Sequence, residues 1–215
     1  MSLEFLSTSP SAPARSPMER QAEAAGARME LHEGWRVAAS FGDGERSRLA
    51  ETVGFADVSQ LGKFELNAEH DLQPGLAERR DGAWWCPVTR RRALVICEPG
   101  ATAELRDRLG AQAIEMTSSY AALTIAGPLS RELFARFCAL DLRPASCPPR
   151  AFRPGSLART PGYVLRENGD RFLMLFGWAL GEYMWTTVAD AAARLGGGPV
   201  GVDALAPLEE ELLHA

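Results

Sequence analysis

The chain has 215 residues, 46% of them hydrophobic, with 23 Lys and Arg against 28 Asp and Glu and a formal net charge of −5. That length supports one sizeable core or two small ones that share it. The mild, dispersed charge excludes nucleic-acid binding as the main task, because phosphate recognition needs a concentrated cationic face. No window approaches the roughly 18 consecutive apolar residues of a membrane helix.

In chain order, residues 1–28 begin with MSLEFLSTSPSAPARSP, rich in Ser, Ala and Pro and without the basic and apolar regions of a signal peptide. They are expected to form a flexible tail containing at most a frayed helix at MERQAEAAGAR. Trp35 to Ser40 reads as a short strand. GDGERSRLAETVG reads as a helix, capped by Asp43 and stopped by Gly54. DVSQLGKFELNAE is strand material, with Phe64 and Leu66 on one face and Lys63 and Glu65 on the other, which makes Lys63 a solvated residue.

Residues 83–98, AWWCPVTRRRALVICE, read as a hairpin whose polar tip carries Arg90-Arg91-Arg92. A solvated tip explains that basic run, and an anion or partner contact is the alternative. Pro87 places the first arm near a sheet edge. Gly100 opens the helix ATAELRDRL and Gly110 closes it. IEMTSSYAALTIAG then reads as strand, and Gly127-Pro128 begins a helix through PLSRELFARFCAL.

RPASCPPRAFRPGS, with four prolines in fourteen residues, reads as a loop. SLARTPGYVLRE and DRFLMLFG are two strands joined at Asn168-Gly169, a strong hairpin signal. Leu180, Met184, Val188, Ala191 and Leu195 recur at helical spacing up to Gly196. Residues 207–215 form a C-terminal tail.

The segments at 57 and 115 each place an acid, an apolar residue and a hydroxyl before a strand, later followed by a hairpin and a helix. This internal repeat predicts an α+β body over 29–206, with related halves of about 29–112 and 113–206.

Four cysteines (86, 97, 138, 147) form no CxxC pair and the three histidines are scattered, so no metal site is expected. Reduced core cysteines point to the cytoplasm. Ser59 and Thr117 read as residues that bond the local backbone, and no nucleophile elbow or phosphate loop occurs.

Three stretches carry a resemblance. VGFADVSQLGKFELNA resembles the N-terminal strand motif of the glycine-cleavage aminomethyltransferase superfamily, G-x-x-D-x-S-x-x-G-K. LTIAGPLSRELF resembles its second-half motif, and ARTPGYVLRENGDRFLMLFGWALGEYMW with GPVGVDAL is similar to the end of its folate-binding region. The second half is also similar to the γ subunit of heterotetrameric sarcosine oxidase, a structural partner of larger subunits.

The resemblance implies a folate-binding, aminomethyltransferase-like α+β fold of two related halves, without the family's C-terminal barrel domain. It implies tetrahydrofolate as the candidate cofactor, with Tyr163, Glu167, Trp84 and Trp85 as candidate cofactor-binding residues, since aromatic faces suit a flat pterin. Hairpin packing is the plainer reading of the tryptophans, and a solvated position before the turn is that of Glu167.

The chain departs from the family at its acids. DGAWWCPVTRRR stands where the family has an aspartate pair, and Glu167 falls one place late in the Arg-x-Gly-Tyr-Thr-Gly-Glu signature. No catalytic residue is assigned. The implied role is a non-catalytic γ-like subunit with oxidase or carrier-protein partners, or a homo-oligomer. The alternative is a divergent tetrahydrofolate-dependent aminomethyltransferase or folate-binding regulatory protein.

Overall fold

The computed structural model describes residues 12–205. Residues 1–11 of the expected N-terminal tail, and the expected C-terminal tail 207–215, lie outside the described residues. The elements in the first part are β1 (Ala14–Arg15), α1 (Glu19–Ala24), β2 (Arg28–His32), β3 (Trp35–Ser40), α2 (Glu45–Glu51), β4 (Gly54–Asp57) and β5 (Gly62–Leu66). There follow β6 (Glu78–Arg80), β7 (Ala83–Thr89), β8 (Arg92–Cys97), α3 (Thr102–Leu109), β9 (Ala113–Glu115) and β10 (Tyr120–Ala126). The chain continues through α4 (Ser130–Phe134), β11 (Phe152–Leu157), β12 (Thr160–Asn168), β13 (Arg171–Gly177), α5 (Gly181–Ala193) and β14 (Gly198–Pro199).

A six-stranded sheet runs β11-β12-β13-β10-β4-β14 and a five-stranded sheet β6-β7-β8-β5-β9, with a small sheet β1-β3-β2 beside them. Period-2 alternation explains how the two large sheets stack. On β13, Phe172, Met174 and Phe176 join Leu133 and Phe134 around α4 and Met184, Trp185 and Val188 of α5. Leu173 and Leu175 point the other way and meet Trp84, Cys86, Leu94 and Ile96 of the five-stranded sheet. The far face of that sheet, with Phe64, Leu66, Val95 and Cys97, is covered by Leu105 of α3. Because β13 is covered on both faces, its sequence FLMLF is apolar throughout rather than alternating. Each such large side chain adds roughly 1.5–3 kcal/mol relative to leaving it in water.

The halves share both sheets. β4 pairs with β10 in one and β5 with β9 in the other, so a boundary near 112 cuts across strand pairs rather than between layers. IEMTSSYAALTIAG is two strands in different sheets, joined by a turn at 116–119.

Residues 12–28, expected within the tail, carry β1 and α1. Met18 is fully buried and Ala22, one turn on, lies beneath the helix with it. A Cβ on Gly181 would sit 2.7 Å from Pro17, so the first turn of α5 closes directly onto this segment. Apolar residues at i and i+4 made the segment a packing helix despite its Ser- and Pro-rich approach.

Three local expectations change. α2 starts after Gly44 (φ +86), and Asp43 is not its cap; Glu45 instead binds the N–H groups of Phe41 at 2.6 Å and Gly201 at 2.8 Å. The helix expected from Pro128 is only Ser130–Phe134. The proline-rich loop ends as strand β11, where Pro154 is tolerated because β11 is the sheet edge. No helix among the described residues is long and apolar enough to cross a membrane.

Candidate functional site

Two polar centres stand out. The first holds the D-x-S-x-x-x-K residues. At the end of β4 the Asp57 carboxylate accepts hydrogen bonds from the Ser16 hydroxyl and, at 3.0 Å, from the Ser59 N–H. Ser59 Oγ in turn accepts from Ala122 N at 3.1 Å, tying the turn to β10. Lys63, expected in solvent, is fully buried. Its ammonium donates to the carbonyls of Ser59 (2.8 Å), Leu61 (2.9 Å) and Thr117 (3.5 Å). Three acceptors match the three donors of an ammonium, so burial on a strand's polar face is tolerated.

The neighbouring glycine has the same structural cause. A Cβ at Gly62 would lie 2.5 Å from Thr102 Oγ1 and 2.7 Å from Cys97 Sγ. Burial pushes the Asp57 carboxyl above its usual range, against its bonds to Ser16 and Ser59 and the charge of Lys63. Burial likewise draws Lys63 down to about 7, opposed by Asp57. Ser59 and Thr117 bond the backbone, as their surroundings in sequence suggested. Through these bonds the centre ties β4, β5 and β10 together.

The second centre is a cavity of about 700 Å³ between the large sheets. Trp84 and Ile96 form one wall, Glu167, Arg171 and Leu173 the facing one, and Val202 and Leu205 part of its closure. Glu167 sits at a β-bulge of β12, between Arg166 and Asn168, and is buried as a lining residue opposite Trp84. The β12–β13 turn brings Arg171 back against it, Nε to Oε2 at 2.8 Å, with both side chains about nine-tenths buried. Arg171 also donates to the carbonyl of Leu205 at 3.4 Å. Glu33, Glu98 and Asp203 at the rim are exposed, which leaves Glu167 as the buried carboxylate of the lining.

Trp84 is 7% exposed, and its indole N–H has no hydrogen-bond partner among the described residues. The Arg79 guanidinium lies 5.2 Å above its ring. Close by, burial and then the Glu167 charge push the Cys86 thiol far up, so it is an inert core residue.

Of the four candidate residues, Trp84 and Glu167 come together in this cavity. Trp85 points to the opposite face of β7, beneath the Arg80 guanidinium at 6.0 Å. Tyr163 stacks on Phe152 (centroids 5.2 Å apart, planes at 10°) and meets Tyr120 edge-on, outside the cavity lining. Arg171 and Arg79 were not singled out from the sequence. Asn168-Gly169 was the available signal for Arg171, although the two-residue loop is Gly169-Asp170, with Asn168 paired to Arg171, and it folds the following strand back over Glu167. Among the described residues, no group of His, Cys, Asp and Glu could hold a metal ion.

No family model matches the sequence, and no curated protein matches it in sequence. Among solved structures, the chain is similar to a chain of heterotetrameric sarcosine oxidase from Corynebacterium sp. U-96, solved in complex with pyrrole 2-carboxylate. That likeness has a TM-score of 0.65 and 19% identity over 86% of this chain and 98% of that one. It is also similar to glycine cleavage system aminomethyltransferase T from Bartonella henselae, with a TM-score of 0.70 and 16% identity over 88% of this chain. The chain spans 60% of the length of that aminomethyltransferase. Identities this low speak for the fold, and the fold is plain: an aminomethyltransferase-like α+β arrangement that covers most of the chain.

Proposed function

We infer that this chain is a non-catalytic partner subunit, γ-like in the sense of heterotetrameric sarcosine oxidase, within one-carbon or methylamine metabolism in the cytoplasm. The observation that carries this reading is the Glu167–Arg171 pair. One carboxylate oxygen of Glu167 is already committed to a buried guanidinium, and no second buried acid among the described lining residues stands in for it. The near-complete span of one sarcosine oxidase chain supports the same reading. Its test is assembly: mixed with the larger subunits of a candidate oxidase, the chain is expected to co-elute with them on gel filtration. Elution on its own, or as a homo-oligomer, would count against a partner role.

The cavity itself favours a second reading, a divergent tetrahydrofolate-dependent transferase or folate-binding regulator. Its volume suits a small planar ligand, and Trp84 and Glu167 offer a flat face and a polar group. Titration with tetrahydrofolate, followed by tryptophan fluorescence, decides between scaffold and pocket. Saturable binding near micromolar, about −8 kcal/mol, supports the pocket, and an unchanged affinity in Glu167→Gln removes Glu167 from it.

A further inference from the structure

A second cavity, of about 760 Å³, lies apart from the first. Three chain segments build it: the loop from Glu69 to Gly75, the tip of the β7–β8 hairpin, and the start of β11. Backbone bonds fasten two of the walls together, Phe152 N to Gly75 O at 2.9 Å and Ala77 N to Arg150 O at 2.7 Å, so the space belongs to the framework. Its inner surface is apolar, with Leu72, Phe152, Pro87 and Val88 prominent.

The rim has a different character. The basic run noted in the sequence separates here. Arg92 pairs with Glu65 at 2.7 Å, whereas Arg90 and Arg91, both exposed, are lining residues whose guanidinium groups have no ion-pair or hydrogen-bond partner among the described residues. Of the two acids in the lining, Asp71 is held by Arg80 at 2.9 Å, which leaves Glu69 as the one unpaired among the described residues. The unpaired charges therefore sum to a net positive rim.

We propose that this cavity binds an organic carboxylate with an apolar body, an aryl or alkyl acid, with the carboxylate at Arg90 and Arg91. The body lies on Leu72, Val88 and the Phe152 edge of the cavity. Guanidinium forks fit a carboxylate in two parallel hydrogen bonds, and the apolar floor supplies area that inorganic anions cannot use. The site is separate from the cavity at Trp84 and does not rest on the function proposed above.

The probe is naphthoate, titrated into the full chain by calorimetry, beside naphthalenemethanol and naphthylmethylamine of the same ring. The acid is expected to saturate one site and to bind at least tenfold more tightly than either neutral or cationic analogue. Arg90→Gln with Arg91→Gln lies on an exposed hairpin tip, and circular dichroism checks that it stays folded. It is expected to weaken the acid about tenfold or more while leaving the alcohol unchanged. Equal binding of the three probes would reduce the cavity to an unspecific apolar surface and overturn the proposal. Absence of saturation up to the solubility limit, or unchanged affinity in the double variant, would do the same. If Arg79→Gln weakens the acid instead, the ligand sits in the other cavity and this assignment is wrong.

Discussion

The Asp57–Lys63 centre and the cavity at Trp84 are both buried and both charged, yet they are satisfied to different degrees. Around Lys63 each polar group has its counterpart, with three carbonyls for one ammonium and hydroxyl and amide donors for one carboxylate. Around Trp84, among the described residues, an indole N–H is unpaired beside open volume, and the Glu167–Arg171 ion pair is buried in the facing wall. Closed networks rigidify, whereas incompletely satisfied ones beside a void have capacity for a ligand. The motif with the most suggestive chemistry in sequence is thus the structural one here.

The largest effect that could break this contrast is Lys63→Met. It strands three carbonyls and leaves Asp57 without its cation, and is expected to cost about 3–5 kcal/mol in urea unfolding. A cost below about 1 kcal/mol would mean that the centre is not a tie. The wild-type pH profile sharpens the point. An unfolded chain keeps Lys63 protonated up to about 10.5, whereas the folded chain releases that proton near 7. Stability from this group therefore rises with pH between those values. Urea midpoints measured across that window should show a rising contribution in the wild type that Lys63→Met lacks.

An intermediate effect is expected in the cavity. Arg171→Met leaves Glu167 as an unpaired buried carboxylate, at a cost of about 3 kcal/mol. Adding Glu167→Gln should restore most of it, since the penalty comes from the stranded charge. If the double variant is as unstable as the single one, the loss comes from Arg171's hold on Leu205, and the cavity is a structural tie as well. The smallest effect is Trp84→Phe. Removing an unpaired N–H offsets the lost apolar area, so the unfolding midpoint should move by less than about 1 kcal/mol. A loss above about 2 kcal/mol would mean that the indole N–H has a partner after all, and that the two centres are alike.

Much of the fold was legible. The hairpins at 83–97 and 160–177, the helices over 102–109 and 181–193 and their glycine stops follow from local pattern and turn chemistry. The two large sheets, however, interleave strands from both halves. That interleaving is decided by strand pairing across 47 to 72 residues, for which a local window has no signal. The proline-rich segment misled in the same way. Proline excludes a central strand, but only the finished sheet shows that β11 is an edge.

The site was half legible for a related reason. Alternation alone says that Trp84 and Trp85 face opposite ways, and that Lys63 opposes Phe64. It does not say which face is inside, because both faces of the five-stranded sheet are covered, one by the other sheet and one by α3. Period fixes direction and topology fixes environment. The sequence by itself therefore determined the main hairpins, the helices over 102–109 and 181–193 and the aminomethyltransferase-like α+β class. Only the tertiary structure decided that Lys63 is buried, that Glu167 meets Arg171, and that Arg90 and Arg91 part from Arg92. Those three outcomes depend on groups brought together from distant segments or folded back across a turn, and electrostatic satisfaction is a property of such neighbours rather than of the residue that carries the charge.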